Sequence, residues 1–420
     1  MGKVLECGGL CCKPKSRSAM AVVRQDNFDV IALDQNSTAT PTSVAAHFLY
    51  KHSRPDELLG PGGATLLGGT KYEQIDERTV RVTGAEFRAE AEGDYTVKLE
   101  GARNNGFQTI FLGAIRDPIL LSQLSPWIEW IEANTREKFP QPSLEIKIYK
   151  YGVNGVMGPL EPDPSLPKEV NICGQIRADT QELANQVASM VKFYFTHAAY
   201  PGQLATAGNF AWPFTPCEIP LGPLSEFCVY HIMHKTDPVD PQLFPVFVSN
   251  FAGSNNSVPE LGELNLFMWC LLSVANNGSV AVEKNVNNQS ASIVSPLNGD
   301  TNKKHYLVPE PADGTCYLGD VASVIRSKNS GPYQLTFDII FPDIATYEKV
   351  KKTGLLTKDT VARLYQIPVQ DVIVSLFFPQ AMAYKATIKR SAPSGGFGET
   401  DTHASQQHVP FLYLPLPWPR

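Results

Sequence analysis

A chain of 420 residues is long enough for two or three domains, each with its own core. Its 43% hydrophobic and 19% charged content is that of a globular protein, while 33 prolines beside 31 glycines predict many loops and few long helices. A net charge of −6 with no Lys/Arg-rich face excludes nucleic acid as a partner, and no apolar run nears the roughly 20 residues that a helical membrane span requires.

The opening segment MGKVLECGGLCCKPKSRSAM has no apolar core of the kind a signal peptide needs, and Glu6 stands where a myristoylation motif requires Ser or Thr. A cytoplasmic protein with eight reduced cysteines is therefore expected. Cys7, Cys11 and Cys12 cluster, but neither a CxxC pair nor a nearby His completes a ligand set, so no metal is expected. Residues 1–66 alternate weak strand signals with Gly/Pro punctuation. Short strands are predicted at 78–84, 94–102 and 108–115, each with β-branched or aromatic residues at alternate positions. A helix from Ser125, with Pro126 in its first turn, places Trp127, Trp130 and Ile131 on one side. Residues 144–152 alternate Leu144, Ile146 and Ile148 with Glu145, Lys147 and Tyr149, the pattern of a half-buried strand. The clearest helix spans 179–197. Asp179 and Glu182 read as its capping box, and Leu183, Val187, Met190, Val191 and Tyr194 share a face.

The stretch TAGNFAWPFTPCEIPLGPLSEFCVYHIMHK (206–235) holds four prolines, which excludes a regular helix, yet it is too apolar for a surface linker. It predicts irregular backbone laid against a core, where ligand sites commonly sit. The Asn/Ser-rich run 276–304 reads as an extended hairpin followed by a linker. From about Leu318 a compact module is expected: a strand at 333–341, helices near 344–352 and 358–365, and strands at 371–379 and 383–390. The fold class is thus α+β (mixed α/β), a larger sheet-and-helix domain over 1–300, a linker over 301–317 and a small α+β sandwich over 318–420.

Two long stretches, VKLEGARNNGFQTIFLGAIRDPILLSQL (97–124) and HAAYPGQLATAGNFAWPFTPCEIPLGPLSEFCVYHIM (197–233), resemble the acyclic terpene utilisation family, AtuA. GKVLECG and LYKHSRPDELLGPGG add shorter pieces of the same resemblance. VASVIRSKNSGPYQLTFDIIF, ATIKRSAPSGGFGETD and QQHVPF resemble the DUF4387 family, so the chain is similar to a fusion of the two. The resemblance implies an α/β half resembling a nucleotide-binding fold ahead of the ECG motif. Here Met1 stands directly before that motif, and no GxGxxG or P-loop occurs, so no cofactor is expected.

The candidate chemistry is acid–base and anion-binding. Glu226 and Tyr230, four apart, would share one side of a helical turn, with His231 beside them either as proton shuttle or as the partner of a buried carbonyl. Arg116 could clamp a carboxylate, or Asp117 could cap the next helix and leave Arg116 in solvent. Lys98 and Glu100, on one strand face, read as an ion pair or as catalytic groups. Asn209, Trp212 and Phe214 are expected to wall a pocket at the junction of the two modules. In IRSKNSGPY, read as a loop, Arg326, Lys328 and Asn329 offer an anion pocket on which Lys385, His403, Gln406 and His408 could converge. His408 is the expected proton donor or acceptor, oriented by Gln406 or Gln407. The function expected is an enzyme, a lyase or isomerase without a cofactor, acting on an acyclic terpenoid, polyketide or branched carboxylic acid. The competing class is a non-catalytic ligand-binding or assembly subunit. A small-molecule substrate is the only ligand expected, and a homo-oligomer is compatible with the sequence.

Overall fold

The computed structural model describes residues 1–16, 18–235 and 311–418, which belong to one compact unit built from both ends of the chain. The expected hairpin and linker at 276–304 lie outside the described residues. The first region runs β1 (Ala19–Val23), β2 (Asn27–Ala32), α1 (Pro41–Leu49), β3 (Glu57–Gly60), β4 (Gly63–Leu66), β5 (Lys71–Asp76), β6 (Thr79–Thr83) and β7 (Glu86–Ala89). Two antiparallel sheets result, in the orders β1-β2-β6-β5 and β3-β4-β7. Helix α1 starts on a reciprocal cap. Ser43 N donates to Thr40 Oγ1 (3.1 Å), Thr40 N donates to Ser43 Oγ (3.0 Å), and Pro41 fills the first position where no N–H is needed. From Ser43 to Leu49 every residue of α1 is buried. Val44 and Phe48 join the core of the first region, whereas Ala45, Ala46 and Leu49 pack with Ile340, Phe378, Ala381 and Ala383 from the C-terminal end of the chain.

The central layer contains β8 (Tyr95–Ile115), α2 (Leu124–Lys138), β9 (Glu145–Tyr151), β10 (Val170–Ala178), α3 (Gln181–His197) and β11 (Glu218–Lys235), with the sheet order β9-β10-β8-β11, all antiparallel. Several sequence expectations are corrected here. The strands expected at 94–102 and 108–115 are one 21-residue strand. Asn104–Gly106 resembles a turn, but the chain passes through it with a register shift, and Gly106 (φ +86°) lies against the Ala178 carbonyl, where a Cβ would collide. The stretch expected to be irregular is so only up to Cys217, after which β11 begins. Pro220 and Pro223 are tolerated because, among the described residues, β11 is an edge strand paired to β8 alone.

Helix α3 is capped by Thr180, whose side chain accepts from Leu183 N (3.2 Å), rather than by the Asp179–Glu182 box. Its buried stripe is Ala184, Val187, Ala188, Val191 and Phe195, with Met190 and Tyr194 at the margin. On α2 the stripe is Leu124, Trp127, Ile128, Ile131 and Thr135. Trp130 sits about 120° round from its centre at 100° per residue and is 48% exposed.

The C-terminal module comprises β12 (Val324–Asn329), β13 (Gln334–Ile340), α4 (Ile344–Lys352), α5 (Lys358–Tyr365), β14 (Val372–Phe378) and β15 (Ala383–Lys389), in the antiparallel order β12-β13-β15-β14. The IRSKN segment, expected to be a loop, is strand β12. Period-two alternation then sorts the sheet. Leu335, Phe337, Ile339, Tyr384, Ala386 and Ile388 face the helices, and Phe411, Leu414 and Leu416 of the C-terminal segment close the same core. Thr336, Asp338, Lys385 and Thr387, all buried, occupy the opposite face.

Candidate functional site

That opposite face holds a charged triad. Asp338 Oδ1 accepts from Lys385 Nζ at 2.7 Å and Oδ2 from Arg326 Nε at 2.8 Å. The residues come together because Arg326 pairs with Asp338, and Asp338 with Lys385, in the strand registers. Lys385 is fully buried, and burial alone would raise the Asp338 pKa, but the two cations hold the carboxyl below its usual range. Both cations also donate to the end of α1: Lys385 Nζ to Leu49 O (2.6 Å) and Arg326 Nη2 to Ala46 O (2.8 Å). Arg326 further stacks over the Tyr50 ring at 4.8 Å. Arg326 and Lys385, expected to hold a substrate anion, are thus spent on internal partners. Lys328, on the same strand face, is half-buried.

A second cluster lies on β11. Glu226 stands directly across from Arg103 and pairs with it at 3.1 Å. Lys98 Nζ meets Glu100 Oε1 at 2.5 Å, which raises the lysine's pKa, and lies 4.6 Å from the Tyr230 ring. Tyr230 also contacts Tyr333 edge-on, and Tyr333 Oη donates to Phe227 O (2.9 Å). Tyr230 and His231 are exposed on extended strand, so the helical turn expected to join Glu226 to Tyr230 is absent.

The third cluster is built by the segment after β15. Arg390 pairs with Glu399 and donates to Asn329 Oδ1, while Asn329 Nδ2 donates to Thr402 O (2.7 Å). Asp401 Oδ2 accepts from Gln406 N (2.8 Å) and Gln407 Nε2 (3.2 Å), and these bonds outweigh burial and draw its pKa down. Tyr365 Oη donates to Gln407 O (2.7 Å). The Gln407 side chain and the Gln406 main-chain N–H thus serve Asp401, and Gln406 is otherwise exposed. His408 opens the short helix Val409–Leu412, and its Nδ1 is buried without a hydrogen-bond partner. Burial lowers its pKa, against the opposing pull of the Ser405 main chain and the Asp401 carboxylate. His403 is exposed. The loop also touches the central sheet: Tyr149 Oη lies 2.7 Å from Gln175 Oε1 and 3.2 Å from Glu399 O.

The remaining candidates have structural surroundings. Asp117 caps the Pro118–Leu121 turn, accepting from Ile119 N (2.8 Å) and from Tyr200 Oη (2.6 Å), and Arg116 is exposed. Asn209 bridges its own loop through Thr196 O, Ala198 O and Gln203. Trp212 and Phe214 are partly exposed, with Lys192 5.4 Å from the Trp212 ring. A shallow depression lined by Asp56, Glu57, Glu86 and Arg88 lies in the first region, away from these residues in the chain, and its Glu57 and Asp56 pair with Arg88 and Arg54. Among the described residues no group of three His, Cys, Asp or Glu is placed to hold a metal ion. No described helix is long and apolar enough to cross a membrane.

Sequence reasoning missed Asp338, Arg390, Glu399 and Asp401. Asp338 carried a signal: an acid at an inward position of the apolar strand LTFDIIF demands a cation, and Lys385 stands at the matching position of ATIK's strand. Two family models match the chain, the acyclic terpene utilisation family protein AtuA over residues 1–215 and a domain of unknown function, DUF4387, over residues 318–415. No curated protein and no solved structure matches it.

Proposed function

The chain belongs to the acyclic terpene utilisation family AtuA and carries a DUF4387 domain behind it, and from that premise we propose that it is a cofactor-independent acid–base enzyme. Its substrate class would be an acyclic terpenoid, polyketide or branched carboxylic acid. The observation that carries this reading is His408, a half-buried imidazole whose Nδ1 is shielded from solvent without a well-formed hydrogen bond. A neutral imidazole can take a proton from one substrate carbon and return it to another, an isomerisation that consumes nothing. Asp401 beside it would stabilise the imidazolium formed in between. Arg326 and Lys385 take no part, because their charge is committed to Asp338.

The test is incubation of the protein in D2O with panels of these three compound classes, followed by NMR for deuterium uptake or a shifted double bond. One class should exchange, and His408→Gln should slow it roughly a hundredfold to ten-thousandfold with the circular dichroism unchanged. A variant within about threefold of the parent would remove His408 from the chemistry. Exchange in no class would remove the enzymatic reading. The second reading, an assembly subunit, draws support from β11, which among the described residues is an edge strand with Phe227, Val229, Tyr230 and Ile232 exposed.

A further inference from the structure

We infer that the surface joining the DUF4387 domain to the AtuA-type region is a self-sufficient protein–protein interface, in which the domain's polar sheet face grips the C-terminal end of helix α1 and needs no covalent tether. The inference is independent of the acid–base reading. It starts from charge. Asp338 brings one negative charge against the two positive charges of Arg326 and Lys385, and Lys385 has no exposed surface. The surplus cation requires acceptors. Ala46 O and Leu49 O supply them from the last turn of α1, where carbonyls lack intrahelical partners and the helix dipole is negative. Each side therefore completes the other. Without the helix end the buried cation would lose an acceptor, and without the domain Ala46 O would lose the donor that Arg326 supplies while Leu49 O would keep the longer bond from His52 N (3.3 Å).

Around this pair the contacts are those of a specific interface. Ala45, Ala46 and Leu49 fill an apolar cluster with Ile340, Phe378 and Ala383. Beyond the helix, Thr387 Oγ1 donates to Ser53 O (2.8 Å), and Ser53 Oγ lies 2.9 Å from Ser330 Oγ. Two further contacts come from the central sheet, at Tyr149 with Glu399 O and at Tyr333 with Phe227 O. The two sides fall within segments matched by separate family models, apart from Phe227, and residues 216–317 between those segments are matched by neither. The partner that fits the face is thus a buried helix whose last carbonyls point at the two cations and which is followed by a tight turn ending in a serine, as at residues 46–53.

The experiment uses the full chain with a protease recognition sequence inserted in the Asn/Ser-rich stretch 276–304, cut to completion and run on size exclusion in native buffer. The cut parent should elute at the position of the intact chain. Cut Lys385→Met, which removes the cation that grips Leu49 O, should shift to two later peaks. Ala45→Arg, which leaves the domain's own sequence untouched, should do the same, so that a folding defect of the Lys385 variant does not decide the outcome. Separation of the parent halves would overturn the inference, and so would co-elution of the Ala45→Arg halves.

Discussion

Removing the charge of Asp338 should cost more than removing that of Lys385, although both touch the same bond. In Asp338→Asn the fully buried Lys385 keeps its charge and loses its counter-ion, and Arg326, 28% exposed, can reach water only in part. Stripping one partner from a buried pair costs about 3–5 kcal/mol. In Lys385→Met the carboxylate keeps Arg326 at 2.8 Å, so a neutral pair survives. What is lost there is a donor to Asp338 Oδ1 and one to Leu49 O, about 1–3 kcal/mol. The double variant removes both the stranded charge and its partner. It should be more stable than Asp338→Asn alone, a strong departure from additivity for touching residues. Chemical denaturation followed by circular dichroism measures all three. A double variant as unstable as Asp338→Asn, or a Lys385→Met loss that matches it, would refute the reasoning. The pH dependence has a fixed sign. Because the folded pKa of Asp338 is depressed, its stabilisation is fully present above the unfolded value of about 4 and is lost as pH falls through the lower folded value.

Other outcomes follow from single contacts. His408 should titrate by NMR below the ordinary value of about 6.5, and since its neutral form is the favoured one, its contribution to stability is present above that pH and fades below it. Gly174→Ala should cost about 1–3 kcal/mol by overpacking, since an added Cβ meets the ring of fully buried Phe111; thermal unfolding reads this. Tyr149→Phe should speed amide exchange at Gly398 and Glu399 with no change in the N-terminal sheets, because its hydroxyl is what faces Gln175 and Glu399 O. Arg103→Gln should leave the unfolding midpoint unchanged, as an exposed cross-strand pair contributes little.

Much of the fold was legible because period two and period 3.6 are local properties. Both helices and three of the four strands of the C-terminal module stand where alternation and capping residues put them, with Asp343 and Thr357 accepting from the N–H groups of Thr346 and Thr360. Errors arose where tertiary pairing overrode a local signal. Asn-Asn-Gly reads as a turn until a neighbouring strand supplies partners on both sides of a bulge. Four prolines exclude a helix, but only knowledge of which strand lies at the edge reveals that two of them are compatible with β structure.

The candidate site was legible as a set of residue types and illegible as an arrangement. A sequence displays Arg326 and Lys385 as cations but not the carboxylate each faces, and that carboxylate decides between anion binding and packing. The same blindness applied to Gln406 and Gln407, which looked like partners for His408, whereas Asp401 accepts from the Gln406 main-chain N–H and from the Gln407 side chain. Once every cation and amide with an internal partner is set aside, His408 is left with an unsatisfied nitrogen. A buried polar atom left unpaired costs stability, about 1–3 kcal/mol for a neutral group. Replacing His408 with Leu would remove that cost together with the proton carrier. If the imidazole is retained for chemistry, His408→Leu should melt no lower than the parent while losing exchange activity. A large fall in melting temperature would mean instead that the ring holds the Val409–Leu412 turn in place and that its nitrogen is tolerated, not used.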